Sequence, residues 1–371
     1  MPTPPRTTGV EEELLLVDAT TGTPLALSSA VLASAALHGD VEDGVFTREL
    51  NQEQLEFATR PMTDMGELRD EIVGWRDAAR RCAEETGARV AALATSPLPV
   101  EPSRTAGLRY QWMAEEFALT AHEQLTCGCH VHVAVDSDAE GVGVLDRIRP
   151  WLALLTALSA NSPFWQGRDS GYSSYRSRVW NRWPSAGPYE PFGDAEGYHG
   201  RVEDMLATGV LRDPGMVYFD ARLSRNFPTV EIRVADVCLE ADTTALVATL
   251  ARALVETAAR AWRNGEPAPQ VGTGLLRLMG WRAARSGLRG PLVDPVTLRP
   301  ASAETVFGAL LRHTEDALRD SGDLDRARDG IAAHLAHGGG ADRQRALHAD
   351  GHGLDEVVLA CARITTATPR R

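Results

Sequence analysis

Four short segments of the sequence place glutamate or histidine side chains among apolar residues. A carboxylate in such surroundings is costly unless a cation or a hydrogen-bonding partner compensates it. Many carboxylates together with a rare imidazole form a ligand set that a hard divalent cation such as Mg²⁺ or Mn²⁺ accepts. The pattern therefore predicts a metal–nucleotide enzyme, and the candidate ligands are Glu11, Glu13, Glu49, Glu56, His130 and Glu231.

Alternation along three predicted strands groups these side chains. Every second side chain of a β-strand faces the same way, so residues two apart share a face. Three strands carry a polar pair at this spacing: Glu11 and Glu13, His130 and His132, Glu231 and Arg233. Glu12 is predicted to face away from the first pair, and apolar residues lie behind the other two. We therefore expect a curved sheet with one catalytic face.

Glu49 and Glu56 do not fit this alternation, because they are seven residues apart. One solution is a bulge or bend between them. The other is a helix in which Glu49, Glu53 and Glu56 would lie on one face. The segment 57–59, which precedes an Arg-Pro pair, favours a strand, so we expect the bend.

Periodicity and turn residues divide the rest of the chain into elements. Strands are predicted at 8–17, 53–59, 89–95, 129–135, 216–222 and 229–234, and helices at 64–87, 108–120, about 143–160 and through most of the chain beyond 242. Residues 161–200 form a long loop rich in aromatic and arginine side chains, which is usually functional. Strands and helices do not alternate regularly, so we expect an α+β fold with a mainly antiparallel sheet packed by helices. We expect one domain over 1–371, with a core at 8–265 and a mostly helical C-terminal part at 266–371.

Composition excludes several classes of protein. The net charge of −13 argues against a nucleic-acid or anionic-membrane surface. The chain has no lysine, so a Walker-type phosphate loop and a Schiff-base lysine are both impossible. No segment approaches eighteen uninterrupted apolar residues, and the N-terminus lacks the apolar stretch of a signal peptide. The five cysteines follow no disulfide or zinc spacing, so we expect a reducing cytoplasmic location and cysteines that serve packing.

Five sequence blocks resemble the type 2 glutamate–cysteine ligases, which are carboxylate–amine ligases of the glutamine synthetase-like superfamily. The blocks are GVEEE at 9–13, QLEFAT at 54–59, CHVHV at 129–133, LSANSPFW at 158–165 and VEIRVAD at 230–236. The resemblance runs from about residue 8 to at least 260. Its most specific parts are the ANSPFW sequence and the aromatic and arginine-rich loop that follows it.

This resemblance implies an open, cone-like antiparallel sheet whose concave, glutamine synthetase-like face holds ATP and two or three Mg²⁺ (or Mn²⁺) ions. It implies that the six candidate ligands form the metal shell, with Glu231 also catalytic. Arg233 matches an arginine that contacts the transferring phosphate, and His132 matches a position that binds phosphate in some relatives. Gln52 and Glu53 are expected to make secondary contacts with the cofactor. A homodimer is expected by analogy with the family.

Substrate choice depends on cations, because an amino-acid carboxylate needs one. Bidentate contact makes the arginines of the long loop suitable partners. The candidate substrate-binding residues are Arg176, Arg178, Arg182, Arg222, Tyr175 and Tyr218, with Trp180 as a further wall of the pocket.

The activity that the resemblance implies is an ATP-dependent ligation through an acyl phosphate, with glutamate and cysteine as the expected acid and amine. One alternative is the same chemistry on another pair of small molecules in a biosynthetic pathway. A second is a phosphotransferase of the guanidino-kinase type, whose fold is related. A third is a nucleotide-binding sensor, against which the intact carboxylate set argues.

Overall fold

An antiparallel β-sheet forms the centre of the protein, whose computed structural model describes residues 4–37 and 44–367. Numbered in chain order, the strands within these residues are β1 (Thr8–Asp18), β2 (Phe46–Arg48), β3 (Gln54–Ala58), β4 (Ala88–Ala91), β5 (Gly128–Ala134), β6 (Phe164–Trp165), β7 (Arg168–Asp169), β8 (Ala221–Leu223), β9 (Thr229–Asp236), β10 (Leu292–Val293) and β11 (Pro300–Ala301). The pairs β6–β7 and β10–β11 are separate two-stranded ribbons. The other strands form the main sheet.

The main sheet has the order β2-β3-β1-β5-β9-β8, and β4 pairs with the C-terminal end of β1. Its strand pairs are antiparallel. The register places Glu13 opposite Glu56, Glu11 opposite His130, and His132 opposite Glu231. Directly opposed residues on neighbouring antiparallel strands have side chains close enough to interact. The sheet alone therefore brings together residues that are far apart in sequence.

Helices surround this sheet and make up most of the C-terminal part. They are α1 (Ser28–Leu37), α2 (Met65–Glu84), α3 (Leu108–Phe117), α4 (Leu119–His122), α5 (Asp138–Ile148), α6 (Leu152–Ser159), α7 (Arg176–Trp180), α8 (Ala195–Ala207), α9 (Ala241–Arg263), α10 (Thr273–Ser286), α11 (Ala303–Asp320), α12 (Leu324–His337), α13 (Gly340–Ala349) and α14 (Leu354–Thr365). In the described part of the chain, none of them combines the length and apolarity needed to cross a bilayer. The α+β fold with a mainly antiparallel sheet is confirmed.

Several predicted elements differ in extent from those observed. The expected helix at 108–120 is two helices, α3 and α4, the expected strand at 89–95 ends at Ala91, and the expected loop at 161–200 contains α7 and the start of α8. The expected helix at 143–160 is two helices, α5 and α6, joined by a 3₁₀ turn at Arg149–Trp151. Pro150 has no N–H to continue the α-helical hydrogen bonding, which explains the break. The expected strand at 216–222 is mostly a turn, and only β8 is strand.

The back of the sheet contains a fully buried ion pair. Glu12 points away from Glu11 and Glu13, as predicted, and meets Arg76 of α2. The Arg76 guanidinium donates to both carboxylate oxygens of Glu12 at 2.8 Å and to the carbonyls of Cys238 and Leu239. Thr244 of α9 donates a further hydrogen bond to Glu12. This carboxylate is thus compensated inside the protein.

All five cysteines are buried. Burial raises the pKa of the Cys127 and Cys129 thiols well above the ordinary value. A buried thiol with a raised pKa is a poor nucleophile at neutral pH. The expectation that these cysteines serve packing agrees with their positions.

Candidate active site

A large cavity of about 1040 Å³ opens on the face of the sheet that carries Glu11 and Glu13. Most of the residues selected from the sequence line it: Glu11, Glu13, Glu49, Glu56, His130, His132, Tyr218, Arg222, Glu231 and Arg233. Strands β1, β3, β5 and β9 supply most of them by this alternation, and β8 supplies Arg222. Glu49 follows β2, and Tyr218 precedes β8. The sheet therefore gathers the predicted polar pairs into one cavity.

Three carboxylates form one candidate metal site. Oxygens of Glu13, Glu49 and Glu56 all lie within 4.8 Å of one another. Glu49 follows β2, and the turn at 50–53 returns the chain to β3, which carries Glu56. The bend predicted between these two glutamates is present, and the helical alternative is not observed.

This three-carboxylate cluster is short of positive charge. Burial raises the pKa of Glu13 to about 7, and the charge of Glu49 adds to the effect. The pKa of Glu56 is raised well above its usual value by burial and by a hydrogen bond with Glu49. Like charges at this separation disfavour one another's ionisation. A divalent cation would remove that cost by replacing the shared protons.

A second candidate metal site combines an imidazole with two carboxylates. Atoms of Glu11, His132 and Glu231 lie within 4.8 Å of one another. His132 Nδ1 is hydrogen bonded to Thr229 Oγ1 at 2.9 Å, and its Nε2 lies 3.4 Å from Glu11. A hydrogen bond on one ring nitrogen orients the other toward a metal. This arrangement gives His132 a ligand geometry that the sequence interpretation had assigned to His130.

His130 lies beside the same cluster. Its Nδ1 is 3.2 Å from Glu11 and 3.9 Å from Glu231. Its Nε2 is buried and has no hydrogen-bond partner among the residues that the structure describes. Burial, assisted by the charge of Arg233, lowers the pKa of His130 to about 4. The ring is therefore neutral at pH 7, which is the form that binds a metal.

Two arginines hold the Glu231 carboxylate. Arg222 donates to it through Nε at 2.7 Å and Nη2 at 3.2 Å, and Arg233 forms a second ion pair with it. Burial opposes ionisation of Glu231, but the charges of Arg233 and Arg222 lower its pKa. The pKa of Glu11 is likewise lowered, because hydrogen bonds with His130 and His132 outweigh the effect of burial. Both carboxylates are thus ionised at neutral pH.

The residues at both clusters fit a hard divalent cation. Oxygen ligands dominate, one imidazole is available at the second cluster, and the first cluster holds protons that a cation would displace. This is the donor chemistry of Mg²⁺ or Mn²⁺. The residues that could hold such ions are the ones already described.

The predicted site residues Glu53, Arg182 and Tyr175 line neither this cavity nor the smaller one beside it. Glu53 precedes β3 and points opposite to Gln54 and Glu56, so its carboxylate accepts hydrogen bonds from Ser103 N instead. Arg182 is ion paired with Glu123 at 2.6 Å, near the surface. Tyr175 packs against Trp165 and Tyr172, each with ring centroids 5.8 Å away. The structure thus corrects the expected positions of these three side chains.

Arg176 and Arg178 line a second, smaller cavity next to the first. Trp180 and Arg233 line both cavities, so the two are neighbours. The Arg176 guanidinium lies against β5 at Gly128, where a Cβ atom would stand only 2.3 Å from its Nη2. Glycine at 128 is therefore what admits this arginine beside the sheet.

The cavity also contains residues that the sequence interpretation did not select. Arg109 is paired with Asp213 at 3.0 Å, and Tyr110 lies near Glu49. Both come from the start of α3 and line the cavity. No motif marks them in the sequence, because their role depends on how α3 packs over the sheet.

Residues 7–360 match the family described as glutamate-cysteine ligase family 2. The chain belongs to this family. A relative from Streptomyces coelicolor, named "Putative glutamate--cysteine ligase 2", is 61% identical over 362 residues, which cover 98% of this chain and 99% of the relative. A relative from Paenarthrobacter aurescens, whose name differs only in the suffix 2-1, is 49% identical and covers 95% of this chain and 93% of its own length.

Solved structures show the same fold at low sequence identity. A glutamate–cysteine ligase from Francisella tularensis in complex with AMP has a TM-score of 0.73 at 12% identity, covering 98% of this chain and 89% of that one. A bifunctional glutathione synthetase from Pasteurella multocida has a TM-score of 0.68 at 15% identity, and the match covers 98% of this chain and 52% of that one. Membership of glutamate-cysteine ligase family 2 confirms the predicted enzyme class, an ATP-dependent carboxylate–amine ligase.

Proposed function

We propose that this protein joins the γ-carboxylate of glutamate to the amino group of cysteine through an acyl phosphate. The observation that carries the proposal is the presence of two carboxylate-rich clusters and Arg233 in one cavity. The family and the names of the relatives support the choice of glutamate and cysteine. The alternative is the same ligase chemistry on a different acid or amine.

Mg²⁺ is the proposed metal, with Mn²⁺ as a substitute. One ion would bind at Glu13, Glu49 and Glu56 and another at Glu11, His132 and Glu231, with His130 beside the latter. When bound, such cations offset the negative charge of the phosphate oxygens during transfer. Two clusters support at least two ions of the two or three implied by the resemblance.

An acyl phosphate solves a leaving-group problem. A carboxylate oxygen attacks the γ-phosphorus of ATP, the bond from that phosphorus to ADP breaks, and ADP leaves. The amine nitrogen then attacks the acyl carbon, phosphate leaves with the former carboxylate oxygen, and nitrogen loses a proton to give the amide. This sequence needs no covalent enzyme intermediate, which agrees with the buried cysteines.

Arg233 is the side chain best placed to act on the transferring phosphoryl group. It is buried, lies at the junction of the two cavities and keeps its charge at any working pH. A fixed cation beside developing phosphate charge stabilises the transition state. Arg222 positions Glu231 and is itself anchored by hydrogen bonds to the carbonyls of Gly215 and Val217 at 3.0 Å.

Isotope transfer tests the proposed chemistry directly. Glutamate labelled with ¹⁸O in its γ-carboxylate is incubated with the purified protein, ATP, Mg²⁺ and cysteine. We expect γ-glutamylcysteine and phosphate that carries ¹⁸O from the carboxylate. A guanidino-kinase-type reaction would instead give a phosphorylated amine without an amide, and mass spectrometry distinguishes the two products.

Two comparisons sharpen this experiment. A panel of acids and amines identifies the preferred pair, and activity with another pair would retain the ligase chemistry while replacing the substrates. Phosphate without ¹⁸O, in the presence of amide product, would contradict the acyl phosphate. The homodimer expected by analogy is a separate prediction, checked by light scattering of the purified protein.

A further inference from the structure

The second cavity, of about 160 Å³, lies between α6, α7, α10 and the segment before β8. Its charged or aromatic lining includes Arg176, Arg178, Trp180, Asp220, Arg233 and Arg277. Sites for drug-sized ligands typically occupy about 300–1,000 Å³, so this cavity suits only a small molecule or one end of a substrate. Its connection to the main cavity runs past Trp180 and Arg233.

Some of the arginines around this cavity are already engaged. Arg149 donates to the carbonyls of Tyr189, Val271 and Pro269, and Arg233 is paired with Glu231. The charge of Arg176 acts on Glu13 and Asp236, whose carboxylates lie near it. Arg149 and Arg233 thus have close partners within the protein, whereas Arg176 acts on the two carboxylates only through its charge.

Arg178 and Arg277 remain without such partners. Across the ranges 4–37 and 44–367, neither guanidinium forms a side-chain hydrogen bond or an ion pair within 4 Å. Each lowers the pKa of Asp220 only through its charge, at a distance. The Arg277 guanidinium packs against Gly187, where an added Cβ would lie 3.5 Å from its Nη1. Arg178 is half-buried and Arg277 is exposed at the edge of the cavity, so both keep donors that a ligand in the cavity can use.

Asp220 offers the opposite charge. Its backbone is fixed, since its N–H donates to Gly187 O at 3.0 Å and its carbonyl accepts from Arg233 N at 2.9 Å. Its carboxylate lines the cavity and, in the described part of the chain, forms no hydrogen bond or close ion pair. Burial raises the pKa of Asp220 to about 6, so the group is mostly ionised at pH 7. The residue is half-buried, and a carboxylate partly withdrawn from water without a close partner is costly unless a ligand compensates it.

We propose that this cavity binds the α-amino-acid end of the acid substrate. Arg178 and Arg277 bind its α-carboxylate, and Asp220 binds its α-ammonium group. The side chain of the substrate then extends past Arg233, so that its terminal carboxylate reaches the main cavity. The inference rests on the proposed function for the identity of the acid as glutamate.

The reactivity of the two substrates assigns this end to the acid and not to the amine. The attacking amine must present a neutral nitrogen, whereas an ammonium group held by a carboxylate has no free electron pair. The α-ammonium group of the acid takes no part in the reaction and is free to stay charged. Asp220 therefore matches a group that is recognised and not consumed.

Ligand binding to matched variants tests this assignment. Isothermal titration is carried out with Mg²⁺ and a non-hydrolysable ATP analogue, using L-glutamate, glutarate (which lacks the α-ammonium group) and 4-aminobutanoate (which lacks the α-carboxylate). We expect the wild-type protein to bind L-glutamate at least about tenfold more tightly than either analogue, because each lacks a charge-assisted contact. Asp220→Asn is expected to weaken the binding of L-glutamate by about tenfold or more and to leave the affinity for glutarate unchanged.

Arginine variants complete the design. Arg178→Gln and Arg277→Gln are each expected to weaken the binding of L-glutamate and of glutarate by about tenfold or more. The affinity for 4-aminobutanoate should stay unchanged. Arg285→Gln, on the same helix as Arg277 but outside the cavity lining, is the control and keeps wild-type affinity. The ratio between ligands for one variant does not depend on how much of that variant is folded.

Two outcomes would overturn the assignment. One is an equal loss of L-glutamate and glutarate affinity in Asp220→Asn, and the other is wild-type affinity in all three cavity variants. If either occurs while ¹⁸O transfer succeeds, the ligase proposal stands and only this subsite is wrong. If the variants behave as expected while no amide forms with any amine, the subsite stands and the proposed function fails.

Discussion

The two faces of strand β1 carry carboxylates that are similarly buried but differently compensated. Glu12 is 0% exposed and has its own cation, Arg76, within the protein. Glu13, at 8% exposure, has two more carboxylates beside it and a raised pKa. Burial alone therefore does not distinguish a structural carboxylate from a functional one. Between Glu12 and Glu13, the distinction is whether the fold supplies a paired cation or leaves the compensating charge to a ligand.

Removing the cation that compensates Glu12, at the back of the sheet, is expected to have the largest effect, and this effect is on stability. Arg76→Met leaves Glu12 buried and unpaired, and we expect the free energy of unfolding to fall by about 3–5 kcal/mol. Urea denaturation measures the change. The double variant Glu12→Leu with Arg76→Met should recover much of the loss, because no unpaired charge remains. An equal loss in the single and double variants would contradict this account.

The next effect is on metal binding at the front of the sheet. Glu13→Gln is expected to weaken Mg²⁺ binding by about tenfold or more, since it removes a charged donor from a three-carboxylate site. The metal-free protein should keep its stability or gain some, because one crowded carboxylate is gone. Titration with Mg²⁺ and urea denaturation measure the two quantities. Glu53→Gln is the control, since its carboxylate faces Ser103, and a similar loss there would argue against the assignment.

A smaller, pH-dependent effect follows from the raised pKa of Glu13. The unfolded chain loses this proton near pH 4.5 and the metal-free fold keeps it to about pH 7, so the fold binds more protons between these values. The stability that this group gives the metal-free protein is therefore lost as pH rises from about 4.5 to about 7. Mg²⁺ must displace this proton as well as any proton on Glu56, whose pKa is also raised, so its affinity should rise with pH. The Glu13 proton adds up to about tenfold per pH unit below pH 7. Titrations at pH 6, 7 and 8 check the slope, and Glu13→Gln should reduce it.

The smallest expected effect is at Arg182, which the sequence interpretation had assigned to substrate binding. Its ion pair with Glu123 is partly exposed, and such pairs contribute about 0–1 kcal/mol. We expect Arg182→Gln to change stability by less than about 1 kcal/mol and the KM values by less than about twofold. Steady-state kinetics measure this. A large rise in the KM for glutamate would return Arg182 to the substrate site.

Alternation made the sheet and the front face predictable from sequence. The period of two on β1, β5 and β9 placed the three polar pairs on one side, and the register now brings Glu11, His130 and Glu231 close together. The odd spacing of Glu49 and Glu56 left a bend or a helix, and the strand-like segment 57–59 decided for the bend. These features depend on local backbone geometry, which can be inferred from the spacing of residues along the sequence.

Features that depend on packing between distant elements were not predictable in the same way. Arg76 lies on the apolar face of α2, four residues after Ile72, and this position was a signal for a buried arginine that the sequence interpretation did not use. Asp220 and Arg277 have no such signal, because α10 and the segment before β8 meet only in the folded protein. The positions of the loop arginines, with Arg176 and Arg178 at the second cavity and Arg182 near the surface, were not predictable for the same reason.

The burial of every cysteine has a practical consequence for an enzyme proposed to handle a free thiol. Its own sulfur atoms lie out of reach of alkylating reagents and of small disulfides, so the folded enzyme should tolerate iodoacetamide and oxidised cysteine without losing activity. Mixed disulfides would then form only when the chain opens, which makes thiol labelling a simple report on local unfolding.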